Sequence, residues 1–217
     1  MLKLTRTKFA LAPTCKTEAQ QTFCNNVLEN TISFGIGYPG TGKTHGAALA
    51  ALSLLREGKV LSILVLRPAV AVGREIGYLP GDEQDKIGPY NSHILEILTS
   101  MVGDEDIIDS LIEEGVIAFR HVGFLRGSNF NNVVALIDEA QNLTKEELYL
   151  LLTRIGDNSK LVLIGDSKQT DIPDSGLEEV IGMIDDLKGV SVTRFTADDC
   201  VRHGIVKEII KRFYEDA

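Results

Sequence analysis

The sequence predicts an α/β domain built on a mainly parallel sheet with helices on both faces. Apolar, β-rich runs alternate with helical patterns along the whole chain. Most of those runs are continuously apolar, as a strand must be when both of its faces are covered. A glycine-rich turn from Gly37 to Thr44 follows the first run and leads into an alanine-rich helical stretch. This is the strand–turn–helix setting in which open α/β sheets bind ligands.

The elements read in order as follows. A helix over 17–29 precedes a strand at Ile32–Ile36, the glycine-rich turn and a helix over 43–57. A strand at Leu61–Leu66 leads into residues 67–90, which break the alternation with Pro68, Gly73, Gly77, Pro80, Gly81, Gly88 and Pro89. A long irregular loop at the carboxyl edge of a sheet is expected to be functional. Helices over 85–101 and 104–114 come next, then strands at Val116–Arg120 and Val133–Ile137. A helix over 144–155, a strand at Leu161–Ile164, a helix over 175–186, a strand at Val190–Phe195 and a helix over 197–214 complete the chain. Thr144 with Glu147, Ser175 with Glu178, and Thr196 with Asp199 read as capping boxes. There is no internal repeat or low-complexity linker, so residues 1–217 read as one domain.

Composition narrows the function classes. Hydrophobic residues make up 44% and charged residues 24%, the balance of a soluble globular protein. No apolar run approaches the roughly 20 residues that span a bilayer, and the first ten residues lack the apolar stretch of an export signal. Cys15, Cys24 and Cys200 have no CxxC spacing, so ordinary thiols in a reducing, cytoplasmic setting are expected, without a zinc site. The net charge of −9 opposes broad attraction to nucleic acid. Acidic residues are concentrated at 104–114 and 174–186, which leaves room for a local basic groove elsewhere.

Three strand ends carry the chemistry. Gly37-Tyr38-Pro39-Gly40-Thr41-Gly42-Lys43-Thr44 matches the phosphate-binding pattern GxxxxGK[ST] in full. Its glycines let backbone N–H groups wrap phosphates, and the following helix N-terminus adds its positive dipole end. Lys43 is expected to reach the β- and γ-phosphates, and the Thr44 hydroxyl to ligate magnesium. The run Val133–Ile137 delivers Asp138 and Glu139, the first to hold magnesium through its water shell, the second as the general base for an attacking water. The third run ends in Gly165-Asp166-Ser167-Lys168-Gln169, where Gln169 could orient that water or sense the γ-phosphate. An arginine finger could come from Arg67, Arg74, Arg126, Arg154 or Arg202, with Arg202 and His203 the most placeable, near the start of the last helix. His45, His93 and His121 show no ligand spacing and read as structural or exposed.

These motifs, with Lys16-Thr17-Glu18-Ala19-Gln20, Arg67-Pro68-Ala69-Val70, Leu79-Pro80-Gly81-Asp82, Phe124-Leu125-Arg126-Gly127, Ile137-Asp138-Glu139-Ala140-Gln141-Asn142, Leu152-Thr153-Arg154-Ile155-Gly156 and Val201-Arg202-His203, run in order across nearly the whole chain. The sequence resembles the PhoH-like proteins, relatives of superfamily 1 helicase ATPases. The resemblance implies a single RecA-like P-loop NTPase core that uses ATP and Mg2+. It implies that Gln20 reads the adenine edge, that Asp166 and Gln169 belong to the phosphate-sensing motif, and that Arg202 is a candidate for the finger. It also implies that the Arg67-to-Asp82 loop faces nucleic acid or a neighbouring subunit. Leu66 stands where a threonine is usual, Cys200 where a valine is, and Gly204 where proline is common. No nuclease-type domain accompanies the motifs, so nuclease activity of fused relatives is not expected.

The leading reading is an ATPase acting on RNA or DNA, helicase-like in class. Superfamily 1 helicases place ATP between two such domains, and 217 residues hold one. A ring of identical subunits, with a hexamer expected, would supply both the second surface and an arginine in trans. An ATP-dependent regulatory or adaptor protein without nucleic-acid activity is the second reading, and a small-molecule kinase a weaker third.

Overall fold

The computed structural model describes residues 9–11, 15–68, 83–125 and 129–214. Its centre is one six-stranded sheet in the order β3-β2-β4-β5-β1-β6. The strands are β1 (Ile32–Gly37), β2 (Ser62–Arg67), β3 (Ile117–His121), β4 (Val133–Ile137), β5 (Lys160–Gly165) and β6 (Val190–Phe195). Every pairing is parallel, so all carboxyl ends lie along one edge. All six strands fall where the apolar runs predicted them, within a residue or so at each end.

The continuous apolar runs have their physical reason in the two cores. In β4, Val134 and Leu136 enter a core beneath helices α1 (Glu18–Glu29), α2 (Lys43–Arg56), α3 (Glu83–Val102) and α4 (Glu105–Glu113). Val133, Ala135 and Ile137 enter the opposite core, under α5 (Lys145–Leu152) and α6 (Leu177–Ile184). Neighbouring residues thus face different cores, and both must be apolar. Close packing also explains Gly35. The Phe23 ring of α1 lies over it, and a Cβ there would stand 2.5 Å from the ring. Phe23 in turn packs edge-on to Phe195 of β6 at 5.7 Å.

Helix starts show where local signals held and where they failed. The Thr144–Glu147 capping box forms as predicted and opens α5. The Ser175–Glu178 box does not form. Gly176 caps α6, and Glu178 instead takes both guanidinium nitrogens of Arg194, at 3.1 and 2.8 Å, together with the Ser167 hydroxyl. A charged partner competes more strongly for a carboxylate than a backbone N–H does. The Thr196–Asp199 box forms, but it caps only a 3-10 turn over Ala197–Asp199. The predicted helix over 197–214 is therefore broken, and α7 begins at Gly204 and runs to Tyr214. Residues 200–203 are left irregular, which lets Arg202 reach back over the sheet edge. Residues 69–82 and 126–128, with Arg74, Arg126 and the Leu79–Asp82 motif, lie outside the described residues. Among the described residues no helix is long and apolar enough to cross a membrane.

Candidate nucleotide site

A cavity of about 440 Å³ opens at the carboxyl edge, where β1, β4 and β5 deliver their motifs. On one side is the Gly37–Thr44 loop, whose shape depends on glycine at two close approaches. Gly37 has φ 143°, and a Cβ would lie 2.1 Å from the Phe195 carbonyl oxygen. Gly42 has φ 84°, and a Cβ would lie 2.2 Å from Gln20 Nε2. An L side chain at either position meets both strain and a collision. Gly42 precedes α2 without a side-chain cap, and the helix N-terminus opens on the cavity with its positive dipole end.

Lys43 Nζ donates to the carbonyls of Gly37 at 2.6 Å and Tyr38 at 2.7 Å. Burial lowers its pKa to about 8, against the opposing pull of Asp166, Glu139 and Asp138. The lysine is thus held inside its own loop, with three carboxylates near enough to stabilise its charge.

The opposite wall carries those carboxylates. Asp138 is buried, and its Oδ2 accepts from Arg67 Nη2 at 2.7 Å. Arg67, one of the arginines considered as a finger, therefore serves the carboxylate of the adjacent strand. Glu139 takes a left-handed backbone conformation (φ 59°, ψ 39°), and its Oε2 accepts from Gln141 Nε2 at 2.7 Å. Asp166 accepts from the Lys168 N–H at 3.1 Å through Oδ1, while its Oδ2 is buried without a partner. Burial pushes its carboxyl pKa up. Gln169 lines the cavity, and its N–H donates to the Asp166 carbonyl at 2.9 Å.

Thr44, Asp138, Glu139, Gln169 and Arg202 thus converge with Lys43 on one cavity. Arg202 stretches across the loop of its own chain, since a Cβ on Gly40 would meet Arg202 Cδ at 2.8 Å. The neighbouring Val201 N–H donates to the Gly40 carbonyl at 3.0 Å. An arginine from the same chain therefore already stands at this cavity. Arg154 is elsewhere, at the amino edge, where its carbonyl accepts from the Phe130 N–H. His45 and His93 line the cavity, a placement their spacing did not signal.

Gln20 is 1% exposed, and its amide is engaged at both ends. Nε2 donates to the Thr41 carbonyl at 2.9 Å, and Oε1 accepts from the Lys16 N–H at 2.8 Å. In this arrangement it props the phosphate loop from behind. Reading a base would require it to release Thr41.

Magnesium fits the residues present. A buried carboxylate oxygen of Asp166 without a hydrogen-bond partner among the described residues leaves acceptor capacity for a hydrated cation. Thr44 and Asp138 line the cavity and would hold the ion, which would offset charge on bound phosphates.

Two features escaped the sequence reading. Arg67, a finger candidate and the first residue of the Arg67-to-Asp82 loop by sequence, pairs with Asp138. Gln141, by sequence one residue of the Ile137–Asn142 motif, bonds to Glu139, Asp166 and Gln169. Its place two residues after the acidic pair was the available signal.

An all-parallel sheet with a GxxxxGKT loop after β1 and acidic strand ends on the same edge defines a P-loop nucleotide-binding domain. A sequence model of the family described as "PhoH-like protein" matches residues 13–214. The chain belongs to this family. A PhoH-like protein of Mycobacterium tuberculosis is 37% identical over 206 residues, covering 93% of this chain and 58% of the relative. One from Bacillus subtilis is 35% identical, covering 91% and 63%. Protein PhoH of Escherichia coli is 30% identical, covering 91% and 57%. The chain thus spans about three fifths of the length of these relatives. Among solved structures, an arterivirus nonstructural protein 10 helicase in complex with DNA aligns at a TM-score of 0.41 and 16% identity, covering 90% of this chain and 42% of that one.

Proposed function

We propose that this domain binds ATP with magnesium, hydrolyses it, and couples hydrolysis to a single strand of RNA or DNA. The observation that carries the reading is the convergence of Lys43, Asp138, Glu139 and Gln169 on one cavity. In this scheme Lys43 turns from the Gly37 and Tyr38 carbonyls to the phosphate oxygens. Glu139 accepts the proton of a water that attacks the γ-phosphorus, and ADP leaves. Gln169 orients that water, and Arg202 offsets charge building on the transferring group. The bound magnesium would supply further neutralisation of the phosphates.

Phosphate release with Mg-ATP, measured with and without single-stranded RNA or DNA, tests the reading. Hydrolysis should rise severalfold with a strand, and Glu139→Gln should lower kcat by about 100-fold or more. Hydrolysis that ignores both strands would favour the regulatory reading, which the net charge of −9 supports.

The domain is further proposed to work as a homo-oligomeric ring, with a hexamer expected. Supporting this, Val201, Ile205, Ile209 and Phe213 are exposed at four-residue spacing along and just before α7. The stripe begins at the residue bonded to Gly40, so a neighbouring copy seated on it would touch the nucleotide site. Light scattering with ATP and magnesium present should give a multiple of the monomer mass, and a monomer alone would end the ring proposal.

A further inference from the structure

We propose that Gln141 is a positioning residue of the hydrolytic centre. Its buried amide sets the Glu139 carboxylate and locks it to the loop that carries Asp166 and Gln169. The inference rests on the reading of Glu139 as the group that activates water.

Past the strand ends the two loops are joined largely by side chains. The β4–β5 ladder ends at Ile137 paired with Leu163, just before the chemistry begins. Beyond it, side-chain amides take over. Gln141 is 2% exposed. Its Nε2 donates to Glu139 Oε2 at 2.7 Å and to the Gln169 carbonyl at 3.2 Å. Its Oε1 accepts from the Asp166 N–H at 3.1 Å. Both donors and the acceptor of one amide are thus used on three different residues of the site. Asn142 repeats the stitch with Asp171, donating from Nδ2 at 3.0 Å and accepting at Oδ1 at 2.7 Å.

Two further observations show that the site is built around this amide. A Cβ on Gly165 would lie 2.8 Å from Gln141 Oε1 and 3.2 Å from its backbone nitrogen, so the close approach needs glycine there. Glu139 itself holds a left-handed conformation, a strain that persists only when its surroundings over-determine it. Gln141 is the group that grips its carboxylate. The choice of residue follows from the chemistry, because one amide head offers two donors and an acceptor, which here serve the Glu139 carboxylate, the Gln169 carbonyl and the Asp166 N–H together. A glutamate here would place a second negative charge beside Glu139. A methionine would fill the volume and make neither bond.

The test uses the full chain with Gln141→Met, Gln141→Glu and Glu139→Gln. The readouts are affinity for fluorescent ADP, melting temperature, and kcat from pH 6 to 8.5. Nucleotide affinity should stay within about threefold for all three variants, because none touches the phosphate loop. Gln141→Met should lower kcat by about 10- to 100-fold, the loss expected when a reacting group shifts by about an ångström. Gln141→Glu should be weakest at high pH and recover as pH falls, because a protonated carboxyl can donate to Glu139. Its activity relative to the unaltered chain should rise about tenfold between pH 8 and pH 6. A purely structural role would lower melting temperature and kcat together, with no change in the ratio across pH. Unaltered kcat in Gln141→Met, or a flat ratio in Gln141→Glu, overturns the proposal while Glu139→Gln stays inactive. An active Glu139→Gln overturns the reading of Glu139 itself, and this inference with it.

Discussion

Two buried glutamines hold the two halves of the nucleotide cavity, and they do so differently. Gln20 lies behind the phosphate loop and grips a backbone carbonyl, that of Thr41. Gln141 lies between the acidic strand ends and grips a side chain, the carboxylate of Glu139. In the proposed scheme the phosphate loop contacts its ligand with backbone N–H groups, so a prop on the backbone would secure binding. In the same scheme the acidic side acts through side chains that must be aimed, so a prop on a carboxylate would secure turnover. The same residue type, buried to the same degree, is thus expected to affect different constants.

The largest effect is expected at the acidic strand ends. Gln141→Met should lose turnover and keep affinity, as set out above. Gln20→Ala should do the reverse. Releasing Thr41 should raise Kd by about tenfold, near the net worth of one hydrogen bond made by a buried group, with kcat at saturation little changed. Titrating ATP and GTP in parallel sharpens the point. If Gln20 only props the loop, both nucleotides weaken alike. A loss confined to ATP would mean that the amide leaves Thr41 and reads adenine, as the family resemblance implies.

The smallest effect concerns Lys43. Its pKa in the nucleotide-free protein is lowered to about 8, chiefly by burial. Between that value and the roughly 10.5 of a free lysine the unfolded chain binds more protons than the folded one. Stability of the nucleotide-free protein should therefore rise with pH across this window, to the extent that Lys43 dominates. Phosphate favours the charged lysine, so nucleotide binding above pH 8 should take up a fraction of a proton, and affinity should fall as pH rises further. Calorimetry at pH 8.5 in two buffers of different ionisation enthalpy reads that uptake directly. No dependence on buffer would mean that Lys43 is fully charged before nucleotide arrives.

The six strands, the phosphate loop and the acidic pair were legible because their signals are local. A run of apolar residues, a GxxxxGKT string and an Asp-Glu at a strand end are fixed by covalent neighbours. Local signals failed where a distant partner competed. Glu178 was drawn to Arg194 and left α6 to Gly176, and the last helix broke so that Val201 could bond Gly40. The assembled site belongs to tertiary structure for the same reason. Arg67 meets Asp138 across 71 positions, Gln141 meets Asp166 across 25, and Gln20 meets Thr41 across 21. No periodicity encodes such pairs. They form because parallel strands bring every carboxyl end to one edge, where close packing selects which side chains touch.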